Sequence, residues 1–479
     1  MSGNTNGGII IGTTAAFPNA AANNTIQSNM VGTDKFGGSA VGNGVAGIAV
    51  REGSVNTSVG GTDVNGNAGG NVISGNIAKG LSIGLGEGSS GPVPTGTKIQ
   101  GNMIGTDGSG SSELRNGSVG LFVGDASDTL IGGFGGSIPA ARNIISGNGK
   151  SGIDLSGAQT ATTRVSGNYI GTASDGVSGL GNHLAGIVIH NGAHNNIVGG
   201  TEENAGNVIA FNDKAGVSIL ANAGCCNIVD PNSILSNNSL GISLGCDPQV
   251  PDSDEVDDLD GCSDAPLPND PGDADTGGNN LQNYPVVTST VVDGSGHLIV
   301  KYNVDSDIGN SNYGSDGLYV EFFIADPQGQ GKTFLGSDRY TASDHDSGSP
   351  GAKTVDLGNA SLNGFTSANR VTATATDADG NTSEFFPPFA PTAARVSISG
   401  RVTTTSGSPI RNARVVLTAD DGTVASVLTN PFGWYRFNGV ESGKMYLLAA
   451  AARGFTFPAP RVLNVRDELT GIDLRAESP

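Results

Sequence analysis

The first 245 residues repeat one short hydrophobic pattern, in which a glycine precedes two aliphatic residues that flank one variable position. The glycines of its eight copies are Gly8, Gly47, Gly80, Gly120, Gly152, Gly186, Gly216 and Gly241. Two further short apolar segments lie between successive copies, and the second of them opens with an asparagine. These asparagines are Asn29, Asn71, Asn102, Asn143, Asn168, Asn207 and Asn232. The pattern predicts three short β-strands that recur in a fixed order along the chain.

Strands this short cannot bury a face alone, so successive units must stack on one another. Three strands per turn in parallel register form a parallel β-helix, with equivalent positions about 4.8 Å apart along its axis. The stacked asparagine amides then form a ladder, because each can both donate and accept. We predict at least seven stacked turns over residues 8–245, with Asn71, Asn102 and Asn143 in one column. A Gly- and Asn-rich coil of low complexity is the alternative, and the three aligned sets of positions argue against it.

The asparagine segments alternate between two forms. One form ends in Gly-Thr and opens a long loop, as in NMVGTDKFGG from Asn29, NMIGTDGSG from Asn102 and NYIGTASDG from Asn168. The other ends in SGN or a variant of it and turns tightly. The long loops therefore fall on one face of the predicted β-helix, which is the usual place for a binding surface.

The pattern changes after residue 245. Residues 246–283 are rich in Asp, Pro and Gly without periodicity, which is typical of a linker or cap. Residues 284–390 and 391–479 carry alternating strands separated by Gly- and Asp-rich turns, and each segment is predicted to form a β-sandwich. The predicted domains are therefore a β-helix at 1–245, an acidic linker at 246–283 and two sandwiches.

Composition limits the classes of partner. The formal net charge is −21, and Lys and Arg are only 24 residues, so a phosphate-binding surface for nucleic acid is not expected. The longest apolar run has eight residues, from Met445 to Ala452, which is too short to span a membrane. The four cysteines form no CxxC pair, which excludes a zinc ribbon. We interpret Cys225 and Cys226 as a buried pair of small apolar residues. A disulfide between Cys246 and Cys262 is left open.

The chain begins in the middle of a predicted rung. Aligned with the rung 72 positions later, Gly8 corresponds to Gly80 and Met1 to the core position Ile73. An uncapped β-helix end exposes strand edges and an open core. We therefore expect further rungs, a cap and an export signal upstream, and self-association of this chain through its N-terminal end. The expected location is secreted or cell-surface.

Several segments resemble known families. ISGN at 73–76 and GNMIGTD at 101–107 resemble the repeats of bacterial right-handed parallel β-helix proteins of the pectin-lyase-like superfamily. NDPGDADTGGNNLQNYPVV at 269–287 resembles the segment that joins such repeats to an Ig-like β-sandwich, as do 321–337 and 373–385. SGRV at 399–402, PIRNARVVL at 409–417 and GWYRF at 433–437 resemble the carboxypeptidase regulatory-like, transthyretin-related fold. Together they imply an all-β chain, a right-handed parallel β-helix followed by two β-sandwich domains.

Many β-helix proteins cleave polysaccharides, and such an activity requires specific catalytic groups. A hydrolase needs paired carboxylates on neighbouring rungs, and a lyase needs a base near calcium-binding carboxylates. The acids Asp34 and Asp107 recur in the same loop turn, where the third copy has Ala173, so we interpret them as turn formers. Asp154 is the one acid on a predicted strand face. The nine basic residues of the β-helix are scattered: Lys35, Arg51, Lys79, Lys98, Arg115, Arg142, Lys150, Arg164 and Lys214.

Three further groups of residues have the chemistry of a possible site. His183, His190 and His194 lie within one rung but match no metal motif in spacing. The sequence from Ser343 to Asp346 is similar to a catalytic tetrad of β-helix epimerases, but it lies in the sandwich region. The acidic residues of the linker have the spacing of a hard-cation site, and the alternative is a solvated acidic linker. They are Asp252, Asp254, Asp257, Asp258 and Asp260.

We therefore assign no catalytic, cofactor-binding or metal residue, and expect no required cofactor, with structural calcium at the acidic linker left open. The sequence favours a non-catalytic extracellular or cell-surface protein that adheres to surface proteins or binds extracellular polysaccharide through the β-helix face. The alternative is a polysaccharide lyase or glycoside hydrolase with its site on the β-helix loops.

Overall fold

A computed structural model shows an all-β chain, which confirms the predicted fold class. The structure describes residues 1–12, 21–62, 68–86, 89–136, 138–247, 256, 258–259, 262–345, 351–366, 368–387, 392–393, 395–419, 422–441, 444–465 and 468–477. Its two helical segments are short, Ile138–Ala141 and the 3-10 turn Gly278–Leu281. In the described ranges no helix is long and apolar enough to cross a membrane.

Three long parallel sheets form a β-helix in the first half of the chain. Sheet I has eight strands: Ile9–Ile11, Ala46–Val50, Lys79–Gly84, Leu121–Gly124, Ile153–Ser156, Ile187–His190, Val217–Leu220 and Ile242–Cys246. Sheet II has seven: Thr25–Ile26, Ser58–Gly60, Lys98–Gln100, Leu130–Gly132, Arg164–Ser166, Ile197–Gly199 and Ile228–Asp230. Sheet III has seven: Met30–Val31, Val72–Ile73, Met103–Ile104, Ile144–Ile145, Tyr169–Ile170, Val208–Ala210 and Ser233–Leu235. The prediction of at least seven stacked turns is confirmed.

The interior of the β-helix is filled by aliphatic columns. In sheet I, Ile48 pairs with Leu81 and Leu81 with Leu121, and all three side chains are fully buried. Equivalent columns run along sheets II and III through Ile99 and Ile104. Stacking is the source of stability, because each strand of two to six residues gains its buried face only from the rungs above and below.

The glycine that opens each sheet I strand is required by close approach of the next rung. A Cβ atom on Gly47 would lie 2.7 Å from the carbonyl oxygen of Gly80 and 2.7 Å from the amide nitrogen of Asn76. No larger residue fits this position without moving the neighbouring backbone, which explains why the glycine recurs in every copy.

The predicted asparagine ladder is present. The Nδ2 atom of Asn71 donates to Oδ1 of Asn102 at 2.9 Å, and that of Asn102 donates to Oδ1 of Asn143 at 3.0 Å. Each Oδ1 also accepts the backbone N–H of the preceding ladder residue, as Asn102 does from Asn71 at 3.0 Å. The one-column prediction for Asn71, Asn102 and Asn143 is confirmed.

A second, longer ladder was missed in the sequence. It begins at the exposed Asn4 and continues through buried members in the turns between sheets III and I: Asn43, Asn76, Asn116, Asn148, Asn182, Asn212 and Asn237. A shorter third ladder joins Asn196 to Asn227 at 2.9 Å. Ordered amide columns therefore run along more than one corner of the β-helix.

Residues beyond 245 close the C-terminal end of the β-helix. Phe323 and Phe385 complete its apolar core, and Asn279 accepts the backbone N–H of Asn227 at 3.0 Å. Glu384 accepts the N–H of Leu244 at 2.8 Å and that of Leu267 at 2.6 Å. These contacts satisfy strand edges that would otherwise be open.

Four smaller sheets follow. Sheet IV has the strand order Lys353–Asn359, His297–Asn303, Val286–Val292, Thr392–Ala393, and sheet V the order Gly331–Tyr340, Leu318–Ala325, Val371–Thr376. Sheet VI has the order Trp434–Glu441, Arg395–Thr403, Leu474–Arg475, and sheet VII the order Val424–Leu428, Arg414–Ala419, Lys444–Ala451, Arg461–Val465. They are predominantly antiparallel sheets of the β-sandwich type, as predicted.

The chain divides into two compact units. One comprises Met1–Val287, Tyr302–Lys353 and Arg370–Pro388, and therefore holds the β-helix with sheet V. The other comprises Thr288–Lys301, Thr354–Asn369 and Phe389–Pro479, and holds sheets VI and VII. The domain limits 1–245, 246–283, 284–390 and 391–479 stay predictions.

The cysteines form two disulfides. Cys246 and Cys262 are bonded, and they are 16 positions apart in the sequence. Cys225 and Cys226 are bonded to each other. The interpretation of Cys225 and Cys226 as buried apolar residues was wrong, because Cys225 is exposed in a turn at the edge of its rung.

Candidate functional site: a ridge of stacked loops

The three long loops of the β-helix adopt the same small hairpin. In each, the strand-ending Gly accepts an N–H nine residues later: Val41 to Gly32, Leu114 to Gly105 and Leu180 to Gly171, at 2.8–2.9 Å. Each of the three glycines has a positive φ, between 84° and 89°, which only glycine adopts without strain. The recurrent Gly-Thr motif thus encodes one repeated loop geometry.

The loops also bond to one another across two rungs. The N–H of Gly108 donates to the carbonyl of Gly37 at 3.0 Å, and that of Ser174 donates to Gly110 at 2.8 Å. We call residues 32–41, 105–114 and 171–180 the loop ridge. Because successive loops are two rungs apart, chemical groups along the ridge repeat about every 10 Å.

Acidic side chains shape the loop turns. Oδ1 of Asp34 accepts the N–H groups of Phe36 and Gly38 at 3.1 and 2.9 Å, and Oδ1 of Asp107 accepts that of Ser111 at 3.0 Å. The bond from Gly38 holds the pKa of the Asp34 carboxyl below its ordinary value. The structure therefore agrees with the interpretation of Asp34 and Asp107 as turn formers.

The third loop keeps this arrangement with its acid displaced. Ala173 occupies the position of the first two acids, and Asp175, two residues later, accepts the N–H groups of Val177 and Ser178 at 2.9 and 2.8 Å. Bonding from Ser178 lowers the pKa of Asp175. All three loops thus carry an ionised carboxylate at neutral pH.

The tips of the ridge are open to solvent. Phe36 is 75% exposed, with the Lys35 ammonium 4.7 Å from the centre of its ring, and Val177 is also 75% exposed. The ridge therefore carries a carboxylate in each of its three loops, an exposed apolar side chain in the first and third, and a cation in the first. Such a surface can bind an extended partner, but it offers no enclosed cleft that would exclude water from a reaction.

An ionic network fixes the second loop to the neighbouring rungs. Arg115 contacts Glu113 at 2.7 Å and Nε2 of His183 at 2.7 Å, and Nδ1 of His183 lies 3.4 Å from Asp213. All four groups are partly exposed, so we expect the network to orient the loop rather than to contribute much stability.

The outer faces of sheets I and III show whether catalytic groups lie at matching positions on neighbouring rungs. The outward row of sheet I pairs Phe122 with Asp154 and Asp154 with Val188. The corresponding row of sheet III contains Met103, Ile144 and Tyr169. Asp154 thus has no carboxylate or base at the same position on either neighbouring rung.

Asp154 instead forms a buried pair with a histidine. Its Oδ1 lies 2.8 Å from Nε2 of His190, and both side chains are fully buried. Val256 and Leu259 pack over the same face of sheet I, and the Val256 N–H lies 3.4 Å from Oδ2 of Asp154. A substrate cannot reach this pair in the present conformation.

The three histidines proposed as a group do not meet. His183 joins the ionic network of the loop ridge, His190 is buried beside Asp154, and Nδ1 of His194 lies 3.0 Å from the carbonyl of Gly192. The basic residues are likewise dispersed, with Arg142 over the ring of Tyr169 and Arg164 bonded to Glu202.

The described part of the tetrad-like sequence, Ser343 to His345, bonds to neighbouring groups of its own region. Asp344 bonds to the hydroxyl of Thr341 at 2.7 Å and to Lys353 at 3.2 Å, and His345 lies 3.6 Å from Asp307. Asp346 lies outside the described residues. So do Asp252, Asp254, Asp257 and Asp260, which leaves Asp258 as the described member of the predicted calcium site.

A second acidic group, absent from the sequence prediction, lies further along the same linker. Carboxylate oxygens of Asp270, Asp273 and Asp275 lie within 4.8 Å of one another. Oδ2 of Asp273 already accepts bonds from Gln282, Ser306 and Ser311, and burial raises the pKa of Asp273 to about 6. Asp273 therefore acts as a hydrogen-bond hub, and few of its lone pairs are free for a cation that takes six to eight oxygen ligands.

A buried acidic pair that was not predicted from the sequence lies where the last rung meets sheet V. Glu321 is fully buried, and neither of its carboxyl oxygens has a hydrogen-bond partner, nor has Oδ1 of Asp230. Burial raises the pKa of Asp230 to about 6, and burial together with the charge of Asp230 raises the pKa of Glu321 well above its ordinary value. No local pattern indicates this pair, because its members are 91 positions apart.

Residues 397–475 match the family model of the carboxypeptidase regulatory-like domain, as the sequence motifs predicted. The resemblance of the repeats to the pectin-lyase-like superfamily stays a prediction. No curated protein sequence matches the chain.

Some solved structures of bacterial proteins are similar to part of the chain. A bacterial adhesin from Mobiluncus mulieris is 10% identical, over 41% of this chain and 96% of its own, with a TM-score of 0.21. The Bacillus anthracis TIE protein is 13% identical, over 40% of each chain, with a TM-score of 0.23. The C-terminal fragment of the pilus adhesin SpaC from Lactobacillus rhamnosus GG is 9% identical, over 41% of this chain and 96% of its own, at 0.18. Scores this low carry no conclusion about function.

Proposed function

We propose that the chain is a non-catalytic extracellular or cell-surface protein that binds an extended partner through the loop ridge. The observation that carries this proposal is the loop stack itself, in which three hairpins of the same backbone geometry each hold a carboxylate at a regular spacing, with Phe36 and Val177 exposed in the first and third. A rigid β-helix holds this spacing without an entropic cost on binding, which favours partners that are themselves repetitive. Extracellular polysaccharide and surface proteins are the two classes of partner that fit.

Two further observations support a non-catalytic role outside the cell. Asp154, the acid on the outer face of sheet I, is buried and paired with His190 rather than with a second carboxylate. All four cysteines are in disulfides, which persist in oxidising compartments. The rival function, a polysaccharide lyase or glycoside hydrolase, needs groups that these rows of side chains do not bring together.

The test is binding of the purified chain to a glycan array and to bacterial and host surface proteins, with parallel incubation with uronic-acid polymers. We expect retention on at least one ligand and no release of unsaturated products or reducing ends. Phe36→Ala on the loop ridge should weaken binding, whereas Phe134→Ala, outside the ridge, should not. Turnover of any polymer, or equal binding by both variants, would contradict the proposal.

A further inference from the structure

The outer face of sheet VII is apolar and uncovered. Its pairing register aligns Val424, Thr418, Leu447 and Val462 in one row across all four strands. Val424 is 58% exposed, Leu447 45% and Val462 63%. Leu428 and Met445, on the same side of the sheet, are 64% and 57% exposed.

These exposed residues belong to strands that also have a buried face, so their exposure does not reflect the absence of a core. The alternate residues of the same strands, Val415, Leu417, Leu448 and Val465, are buried in the apolar core of the C-terminal module. Sheet VII is therefore apolar on both faces, whereas a sheet with one solvated face normally alternates between apolar and polar residues. The five exposed side chains offer apolar surface near the upper end of what monomeric proteins show.

The arrangement of large and small residues fits a second copy of the same face. The row that contains Leu447 lies beside a row of smaller side chains, in which Val416 pairs with Ser426 and with Ala449. When two such faces are related by a two-fold axis, the row of large side chains on one copy can lie against the row of small side chains on the other. Side chains of two sheets interdigitate in this way when the sheets pack face to face about 10 Å apart.

The area and the charge of the outer face of sheet VII are also those expected for contact with a second copy of the chain. With the exposed parts of Arg414, Ser426 and Ala451 added, the face offers on the order of 800 Å², which is the share of each partner in a standard interface. Among the described outward side chains of sheet VII, Arg414 carries the one charge, and it lies in the end row rather than at the centre. A two-fold mate would therefore bury no like-charge pair at the middle of the contact.

We propose that the chain forms a homodimer in which the outer faces of two copies of sheet VII pack against each other. This inference is independent of the ligand of the loop ridge. Dimerisation would give each assembly two ridges, which raises the avidity for a repetitive partner without any new contact to it.

The test is sedimentation velocity of the full chain between 1 and 100 μM, a range suited to weak and standard interfaces. We expect a dimer for the wild-type chain and for Leu362→Lys, a matched control at an 85% exposed leucine outside sheet VII. Leu447→Lys and Val462→Lys should both be monomers with unchanged circular dichroism, because these side chains contribute to no core. A wild-type monomer at 100 μM, or a dimer that persists in both variants, would overturn the proposal. Flotation of the wild-type chain with phosphatidylcholine vesicles, lost in Leu447→Lys, would overturn it as well, since lipid would then be the occupant.

Discussion

The side chain of Gln330 extends the asparagine ladder that ends at Asn237. Its Oε1 accepts both the backbone N–H and the Nδ2 of Asn237, at 3.1 and 2.9 Å, and its Nε2 donates to the Asn237 carbonyl at 2.7 Å. The two bonds that Oε1 accepts are those that the Oδ1 of an asparagine in one more rung would accept. The bond from Nε2 replaces the backbone N–H that follows such an asparagine, as Asn238 donates to the carbonyl of Asn212 at 2.9 Å. A residue in the turn before strand Gly331–Tyr340 of sheet V thus takes the place of a further rung, and the side chains of Gln330 and Asn237 are both buried.

We expect Gln330→Ala to lower the free energy of unfolding by about 2–4 kcal/mol, because two donors of Asn237 and the carbonyls of Asn237 and Ser239 lose a partner. Gln159→Ala, at an exposed position, is the matched control and should change it by less than about 0.5 kcal/mol. Urea unfolding followed by circular dichroism measures both. Equal effects of the two substitutions would mean that the cap contributes nothing specific.

The two disulfides should contribute very differently to the free energy of unfolding. The Cys246–Cys262 bond closes a loop of 16 positions, so its replacement by two serines should cost about 3 kcal/mol through the entropy of the unfolded chain. The Cys225–Cys226 bond joins neighbours and closes no such loop, so the same replacement there should cost far less. Thermal unfolding of the two double variants decides this. A larger loss for Cys225→Ser with Cys226→Ser would contradict the expectation.

The buried carboxyls predict an unusual pH dependence. Burial raises the pKa of Asp230 to about 6 and that of Glu384 to about 7, so the native chain binds more protons than the unfolded chain above pH 4. The stability that these groups contribute is complete below about pH 4, declines as the pH rises through 6 and 7, and is then lost. Glu321→Gln removes the repulsion with Asp230 and should flatten this decline.

The measurement is the free energy of unfolding of the wild-type chain and Glu321→Gln at several values between pH 4 and pH 8. Glu321→Gln should gain stability relative to the wild type as the pH rises, whereas the exposed control Asp316→Asn should follow the wild-type curve. Parallel curves for Glu321→Gln and the wild type would show that the pair is not strained by ionisation.

We expect calcium to have little effect on the fold. Asp273 is already saturated by protein donors, so chelator and millimolar calcium should give the same melting temperature in scanning calorimetry. A higher melting temperature in calcium that disappears in Asp270→Asn would instead establish a structural calcium site in the acidic linker.

The repeat architecture could be predicted because the same side chain recurs at each structurally equivalent position. The second ladder was also encoded, since Asn76 and Asn148 follow first-ladder members by five residues, while Asn116 and Asn182 follow theirs by fourteen. We had placed Asn76 and Asn148 in the tight SGN turns and predicted no role for Asn116 and Asn182, so the stacking was missed. A search for the two alternating spacings would have found it.

Other features depend on contacts that no local pattern encodes. Asp230 and Glu321 belong to strands that meet only when sheet V packs under the last rung, and Asp154 and His190 meet only because their rungs are neighbours. The disulfide of Cys225 and Cys226 was missed for a different reason, since adjacent cysteines fit a buried apolar pair as well as a bond. The stacking of repeated positions can therefore be predicted from the sequence, whereas individual contacts between residues distant in the sequence cannot.

The cap at Asn237 has a consequence for synthesis of the chain. Gln330 is made 93 residues after Asn237, and a ribosome that adds 5–20 residues per second needs about 5–20 s to cover that distance. During this interval the finished rungs present a bare amide column and an open apolar end to other nascent chains. Slower translation between residues 237 and 330 would lengthen the exposure, so aggregation on overexpression should respond to codon choice in that stretch more than to codon choice within the repeats.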